Sequence, residues 1–216
     1  MSIALEAVGL RQGGDGIAYG RMLSDHAHAL ALRLVRAMSG DDHAVIRKDA
    51  HGRPYVVSGT DAILGAESES RDWTVSISHA DGLIACAIHR GGRVGIDVES
   101  VRRPTAGVLR HCFSPRQREG LRDPIPSDHS VVMDDVEADT DMLAERTTML
   151  WTLKEAYGKF TGLGLADCAA IRACDPQFCK RRGLAVEQSR HVMNGRRYWC
   201  SVVFPNTKEN GNEQVE

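Results

Sequence analysis

The chain has 216 residues, with 27 lysines and arginines, 29 aspartates and glutamates, and a formal net charge of −2. Hydrophobic residues make up 42% and charged residues 26%, which is typical of a globular protein and excludes a disordered, collagen-like or coiled-coil chain. Neither a chain-wide basic surface, nor an apolar run of roughly 20 residues, nor a signal peptide is indicated. We therefore expect a cytoplasmic protein with no nucleic-acid or membrane partner and with its six cysteines reduced.

In chain order, the first hundred residues predict a strand, a helix and a sheet. A short strand is expected within 1–10, and apolar residues at helical spacing predict a helix over 22–38. Alternation over 73–78, an apolar run over 83–88 and the segment 94–99 indicate strands separated by glycine-containing turns. The simplest interpretation is three short strands in meander order.

The remaining chain predicts helices followed by a hairpin. Short helices are expected over 105–111 and 115–121, and a long helix from about 142 to 161. Strands over 184–192 and 197–204 flank an Asn-Gly pair, which is a strong hairpin signal. Helices combined with antiparallel strands make the expected fold class α+β.

Composition also divides the chain. Two arginines and a proline after Ser100 place a boundary between an N-terminal half, 1–101, and a C-terminal half, 102–216. In the second half, 123–145 holds eight acidic residues and no lysine or arginine, which predicts a mobile acidic insertion. The rest of the chain is net positive, so a basic functional surface is compatible with the total charge.

Asp97 and Glu99 form the first candidate site. Two positions apart on a predicted strand, they share one face, while Ile96 and Val98 point into the core. Close carboxylates repel unless a proton or cation lies between them, and Mg²⁺ takes one or two carboxylates together with waters and phosphate oxygens. The alternative is an ordinary solvated strand face.

The second candidate lies on the predicted long helix. Glu155 and Lys159 are four residues apart and form either a surface ion pair or a functional pair. In the functional interpretation Glu155 is a third metal carboxylate, and Lys154 and Lys159 face phosphate oxygens.

Donors for an anion form the third candidate. Ser78 and His79 end a predicted strand, and Arg53 lies in a Gly-Arg-Pro segment. A Ser–His nucleophile pair is disfavoured because adjacent strand residues point apart, and each of these residues also has a purely structural or exposed alternative. Together, the three candidates suit Mg²⁺-assisted attack on a phosphoanhydride.

Four motifs then carry a resemblance to a known family. GRP at 52–54, SISHADG at 76–82, GIDVE at 95–99 and WTLKEAYGK at 151–159 resemble, in content and order, the Sfp-type 4′-phosphopantetheinyl transferases. The last two motifs are a specific pair at this separation, whereas the first two are weak alone. The resemblance spans roughly 22–204 and implies two similar α+β halves, a pseudo-dimer, with the active site between them.

The resemblance also implies a reaction. Phosphopantetheine would pass from coenzyme A to a serine of an acyl, polyketide or peptidyl carrier protein, releasing adenosine 3′,5′-bisphosphate. Asp97, Glu99 and Glu155 would hold Mg²⁺, with Mn²⁺ as an alternative. The residues implied to contact coenzyme A are Arg53, Ser78, His79, Lys154 and Lys159. For catalysis we assign the proton acceptor to Glu155, with a metal-bound water activated by Asp97 as the alternative, and place Lys154 on the phosphates.

Two departures from the family pattern stand out. Gln117 occupies a position where the family often has glutamate, and glutamine cannot act as a base. Only about twenty glycine-rich residues precede the first helix, so either the chain is a domain cut from a larger synthase or basic residues elsewhere compensate. The compensating candidates are Arg33, Arg36, Arg47 and Lys48.

The carrier partner is expected to be acidic, and arginines flanking the site are candidates for its docking face: Arg102, Arg103, Arg110, Arg116 and Arg118. The pathway, whether fatty-acid, polyketide or peptide synthesis, stays open, and the resemblance favours a monomer. Two other functions remain: a catalytically weak carrier-docking module of the same fold, and a metal-dependent phosphoanhydride hydrolase.

Overall fold

The computed structural model describes residues 1–8, 16–50, 52–64, 73–122 and 135–206. The strands are β1 (Ser2–Ala7), β2 (Val45–Lys48), β3 (Pro54–Val57), β4 (Trp73–Ala80), β5 (Leu83–Arg90), β6 (Gly95–Ser100), β7 (Leu184–Met193) and β8 (Arg196–Pro205). The helices are α1 (Gly16–Ser39), α2 (Gly59–Leu64), α3 (Ala106–Cys112), α4 (Pro115–Arg122), α5 (Asp135–Thr161), α6 (Cys168–Ala173) and α7 (Pro176–Arg181). The α+β class predicted from the sequence is confirmed.

The strands form two antiparallel sheets. The first has the order β1-β5-β4-β3-β2 and the second β6-β8-β7. The predicted meander is therefore wrong in its third strand, because β6 leaves β5 and pairs with β8, with Ile96 opposite Val202. The predicted C-terminal hairpin is confirmed, and Asn194 and Gly195 adopt the positive φ angles that its turn requires.

Serine side chains join the two sheets where β4 passes β6. The N–H of Ile96 donates to Ser76 Oγ at 3.1 Å, and the N–H of Val98 donates to Ser78 Oγ at 3.3 Å. The main-chain donors of β6 that no strand satisfies thus find partners on β4. This seam brings the SISH and GIDVE motifs together.

Strand β5 is buried on both faces and separates two parts of the core. Ile84, Cys86 and Ile88 pack against α1, whereas Leu83, Ala85 and Ala87 pack against the second sheet. A third cluster holds α5 against α6, α7 and β8, and it includes the fully buried Leu153. Helix α5 therefore crosses the second sheet beside β6.

Helix α5 is longer than the sequence predicts. It begins at Asp135 instead of about residue 142, so 135–145 of the predicted mobile insertion is helical, while 123–134 lies outside the described residues. Glu145 accounts for part of this order, because it accepts hydrogen bonds from Arg190 and Trp199 of the second sheet.

The division of the chain into halves at residue 101 stays a prediction. Sheet membership changes between the end of β5 at Arg90 and the start of β6 at Gly95.

Among the described helices, none combines the length and apolar character that crossing a bilayer requires.

Candidate active site

A cleft of about 750 Å³ lies between α1, the β2–β3 turn, β4, the β5–β6 turn and the C-terminal end of α5. Among the described residues, its lining includes the basic side chains Lys48, Arg53, Arg93 and Lys159, and a single carboxylate, Asp49. A concave surface with this excess of positive charge attracts anions and suits a ligand with several negative charges.

Two arginines of the cleft meet at the end of α5. Arg53 Nη2 and Arg93 Nη1 each donate to the carbonyl oxygen of Thr161 at 3.1 Å, where the helix leaves its last carbonyls without helical partners. Gly162 follows with a φ of +76°, and a Cβ there would lie 0.9 Å from Arg53 Nη2. Glycine therefore makes room for this guanidinium. The Nε of Arg53 is buried without a hydrogen-bond partner in the described part of the chain.

Lys159 lines the cleft and also contacts a carboxylate outside the cleft lining. Its Nζ donates to Asp97 Oδ1 at 2.8 Å and to the carbonyl oxygen of Ile77 at 3.3 Å. We call Asp97, Glu99 and Glu155 the acidic cluster. The ammonium group of Lys159 is thus shared between the cleft and this cluster.

Asp97 uses one carboxylate oxygen for hydrogen bonds and leaves the other without a partner among the described residues. Its side chain is 7% exposed, and Oδ1 accepts hydrogen bonds from both Lys159 and Ser78, the latter at 2.7 Å. Oδ2 is buried and has no hydrogen-bond partner among the described residues. A buried carboxylate oxygen without a donor is costly, and a cation would remove that cost.

Both glutamates of the cluster hold their protons more tightly than usual. Burial raises the pKa of Glu155 to about 7, and the negative charge of Asp97 adds to the effect while Lys159 opposes it. Burial, with Asp97 second, also raises the pKa of Glu99, although Arg102 and a hydrogen bond from Trp151 act against the rise. Desolvation and mutual repulsion both disfavour the ionised cluster.

These features fit a divalent cation in part. Among the described residues, no group of three or more His, Cys, Asp or Glu side chains is arranged to hold a metal ion by itself. Mg²⁺ does not need such a group, since it is commonly bound by one or two carboxylates together with waters and substrate phosphates. The unpartnered Oδ2 of Asp97 would supply one such ligand, and metal binding by Asp97, Glu99 and Glu155 stays a prediction.

The structure separates the predicted roles of Ser78 and His79. Ser78 is buried, and its hydroxyl donates to Asp97 while accepting from the Val98 N–H, so it orients the acidic cluster. His79 lines the cleft with part of its surface open to solvent, and the partial burial of its ring together with the charge of Lys159 lowers its pKa. Contact of either residue with phosphate stays a prediction, and the geometry favours His79.

Lys154 does not reach the cleft. Its side chain is fully buried, and Nζ donates to the carbonyl oxygens of Ile171 at 2.7 Å and Cys174 at 2.8 Å. It therefore lies on a different side of α5 from Lys159, and its predicted phosphate contact is corrected. The sequence contains a signal for this, because Lys154 falls at helical spacing between Leu150 and Tyr157, on the apolar stripe.

The structure also shows the hydrogen bonds of Gln117 and which of the basic residues line the cleft. Gln117 and Ser114 exchange hydrogen bonds at the start of α4, with Ser114 N donating to Gln117 Oε1 and Gln117 N to Ser114 Oγ. This is a capping box, which glutamine completes as well as glutamate. Of the four basic residues singled out in the N-terminal half, Lys48 lines the cleft. Arg93, which the sequence did not single out, lines it as well.

Comparison with known proteins identifies the family of this chain. Residues 93–211, more than half of the chain, match the family model of the 4′-phosphopantetheinyl transferase superfamily. Over 112 residues the chain is 30% identical to the 4′-phosphopantetheinyl transferase HetI of Nostoc sp., covering 50% of this chain and 41% of that protein. Over 173 residues it is 28% identical to the L-aminoadipate-semialdehyde dehydrogenase-phosphopantetheinyl transferase of Eremothecium gossypii, covering 74% and 54%.

The chain thus spans about half the length of these curated relatives. The family match includes β6, which carries Asp97 and Glu99, and all of α5, which carries Glu155 and Lys159. The chain belongs to the 4′-phosphopantetheinyl transferase superfamily.

Proposed function

We propose that the chain transfers the 4′-phosphopantetheine group of coenzyme A to a serine of a carrier protein in a Mg²⁺-dependent reaction. One observation carries the proposal: Lys159 joins a cleft lined with cations to a partly buried acidic cluster. The cations suit the phosphates of coenzyme A, and the carboxylates suit a metal ion and a proton acceptor. Family membership and the relatives' names support the same activity.

Four basic side chains of the cleft would bind the phosphates of coenzyme A. Arg53 and Arg93, anchored at the end of α5, present guanidinium groups to phosphate oxygens. Lys159 and His79 lie nearer the acidic cluster, where the pyrophosphate would bind. Asp97 Oδ2, with Glu155 and Glu99, would hold the metal ion, which offsets the charge that develops on the pyrophosphate.

Glu155 is the proposed proton acceptor. Burial raises the pKa of Glu155 to about 7 in the metal-free protein. A bound Mg²⁺ would lower this pKa and keep the carboxylate ionised, in the form that can accept a hydroxyl proton. The serine oxygen forms a bond to the phosphorus of the phosphopantetheine group, and the anhydride bond to the adenosine moiety breaks. The proton passes to Glu155 and then to solvent, and adenosine 3′,5′-bisphosphate leaves.

The direct test is to incubate the protein with coenzyme A, Mg²⁺ and an apo carrier protein and to weigh the carrier by intact-mass spectrometry. We expect a gain of one phosphopantetheine that EDTA abolishes, and Asp97→Ala should abolish it with the fold intact. No gain across fatty-acid, polyketide and peptidyl carriers, with coenzyme A still bound, would favour a docking module. Consumption of coenzyme A without a carrier would favour a hydrolase.

The carrier is expected to dock on exposed arginines of α3 and α4. Arg110 and Arg116 are exposed, and the resemblance implies a carrier that is acidic beside the modified serine. Reversing both charges (Arg110→Glu, Arg116→Glu) should raise the KM for carrier about tenfold or more, because opposite charges across an interface steer association. Steady-state kinetics at low and high salt measures this effect, which added salt should diminish. Unchanged carrier kinetics, or a weaker affinity for coenzyme A, would contradict this assignment.

A further inference from the structure

We propose that Lys154 is a positioning residue that fastens α4 and the C-terminal end of α6 to α5, instead of a ligand of the substrate phosphates. Its ammonium group is fully buried and has four oxygen acceptors within reach. Besides Ile171 and Cys174, these are the carbonyl oxygen of Arg172 at 3.3 Å and Gln117 Oε1 at 3.1 Å.

Three of those acceptors belong to the end of one short helix. The last carbonyls of a helix have no partners within it and carry partial negative charge, so a cation there is favourable. The carbonyls at the end of α6 that accept from Lys154 belong to Ile171, Arg172 and Cys174, and that of Ile171 also accepts from the Cys174 N–H at 3.3 Å. A lysine reaching across from α5 thus does for α6 what a C-terminal capping residue does for its own helix.

The fourth acceptor ties α4 to the same point. Gln117 accepts from Lys154 and donates through Nε2 to the carbonyl oxygen of Cys174 at 3.1 Å, while its capping box with Ser114 begins α4. The Phe113 ring lies 5.1 Å from the ammonium nitrogen. An ammonium group has three hydrogens, and four acceptors already compete for them, so none remains for a phosphate.

The consequence for function follows from what α4 carries. This step rests on the proposed function: Arg116, on α4, belongs to the predicted carrier-docking face. Lys154 would therefore act on the carrier through the placement of α4. It would leave coenzyme A affinity unchanged, since Lys154 does not line the cleft.

The test compares Lys154→Met with Lys159→Met, the same change five residues along the same helix. For Lys154→Met we expect faster amide hydrogen exchange in α4 and α6, a melting temperature lower by roughly 10 °C, and an unchanged Kd for coenzyme A. The KM for carrier should rise severalfold with a smaller change in kcat. For Lys159→Met we expect about tenfold weaker coenzyme A binding and unchanged exchange in α4 and α6.

Weaker coenzyme A binding by Lys154→Met, with exchange unchanged, would overturn the proposal. If that variant does not fold, amine labelling of the wild-type protein decides instead. Lys154 should stay unlabelled with and without coenzyme A, whereas Lys159 should be labelled and protected by coenzyme A; labelling of Lys154 that coenzyme A prevents would contradict us. Exchange, labelling and Kd need no turnover, so failure of the proposed transferase activity would be seen separately.

Discussion

Glu155→Gln is expected to reduce phosphopantetheine transfer about 10³-fold while making the metal-free protein more stable. The two effects have one cause. The carboxylate that would accept the serine proton and bind the metal ion is partly buried beside the negative charge of Asp97. Glutamine keeps the shape of the side chain and removes its charge.

The sign of the stability effect follows from the pKa of Glu155. It is about 7 in the folded protein against an ordinary value of 4.5, so the folded state binds this proton more tightly than the unfolded state does. Stability is therefore lost as the pH rises from 4.5 through 7, and the whole penalty is present at pH 8. Allowing for solvent screening, it is on the order of 1–2 kcal/mol, or a few degrees in Tm.

Thermal unfolding in EDTA at pH 5 and pH 8 measures this penalty. Glu155→Gln should melt above the wild type at pH 8 and close to it at pH 5, and Mg²⁺ at pH 8 should raise the Tm of the wild type more than that of the variant. Glu187→Gln, the same change at an exposed position of β7, should alter neither stability nor transfer. A Glu155→Gln variant that is less stable than the wild type at pH 8, or that retains transfer, would contradict the role given to Glu155.

Sequence patterns predicted the local elements well. The Asn-Gly hairpin, the β4–β5 hairpin and the helices α3 and α4 depend on turn chemistry and short-range periodicity, which a single sequence displays directly. The spacing of Asp97 and Glu99 also sufficed to place both carboxylates on one face of a buried strand, with Ile96 and Val98 facing the core.

These local patterns do not predict which strands far apart in the sequence pair with each other. Strand β6 is buried on both sides, and nothing in its own sequence says whether it pairs with β5, which precedes it, or with β8, about a hundred residues away. The seam through Ser76 and Ser78 was likewise hidden, because alternating serines equally suit a solvent-facing strand.

Gly95→Ala is expected to have a large effect on stability. Gly95 opens β6 where the strand backbone contacts that of α5, and a Cβ there would lie 2.0 Å from the carbonyl oxygen of Ala156 and 2.5 Å from the backbone nitrogen of Phe160. Both obstacles are helix backbone, so no side chain can turn aside. Restoring a separation of 3.0 Å requires the helix and strand to move about 1 Å apart, and we expect a loss of about 3 kcal/mol.

Urea denaturation followed by tryptophan fluorescence measures this loss, with Gly120→Ala as the matched control. Gly120 lies in α4, and a Cβ there would have no heavy atom within 4 Å. The control should therefore gain about 0.5–1 kcal/mol, as alanine does over glycine within a helix. A Gly95→Ala variant as stable as the wild type would show that β6 and α5 do not pack as closely as described.

Gly95→Ala also tests whether the rate of transfer depends on the relative positions of the site residues and not only on their identity. Gly95→Ala leaves every proposed ligand in the chain, but it moves Asp97 on β6 relative to Glu155 and Lys159 on α5. A misplacement of about 1 Å costs roughly 10²-fold in rate when catalysis depends on positioning. We therefore expect transfer to fall by that factor at a low temperature where the variant is still folded, with coenzyme A affinity reduced less than kcat. Full activity of the folded variant would mean that the acidic cluster tolerates looser geometry than a shared metal ion allows.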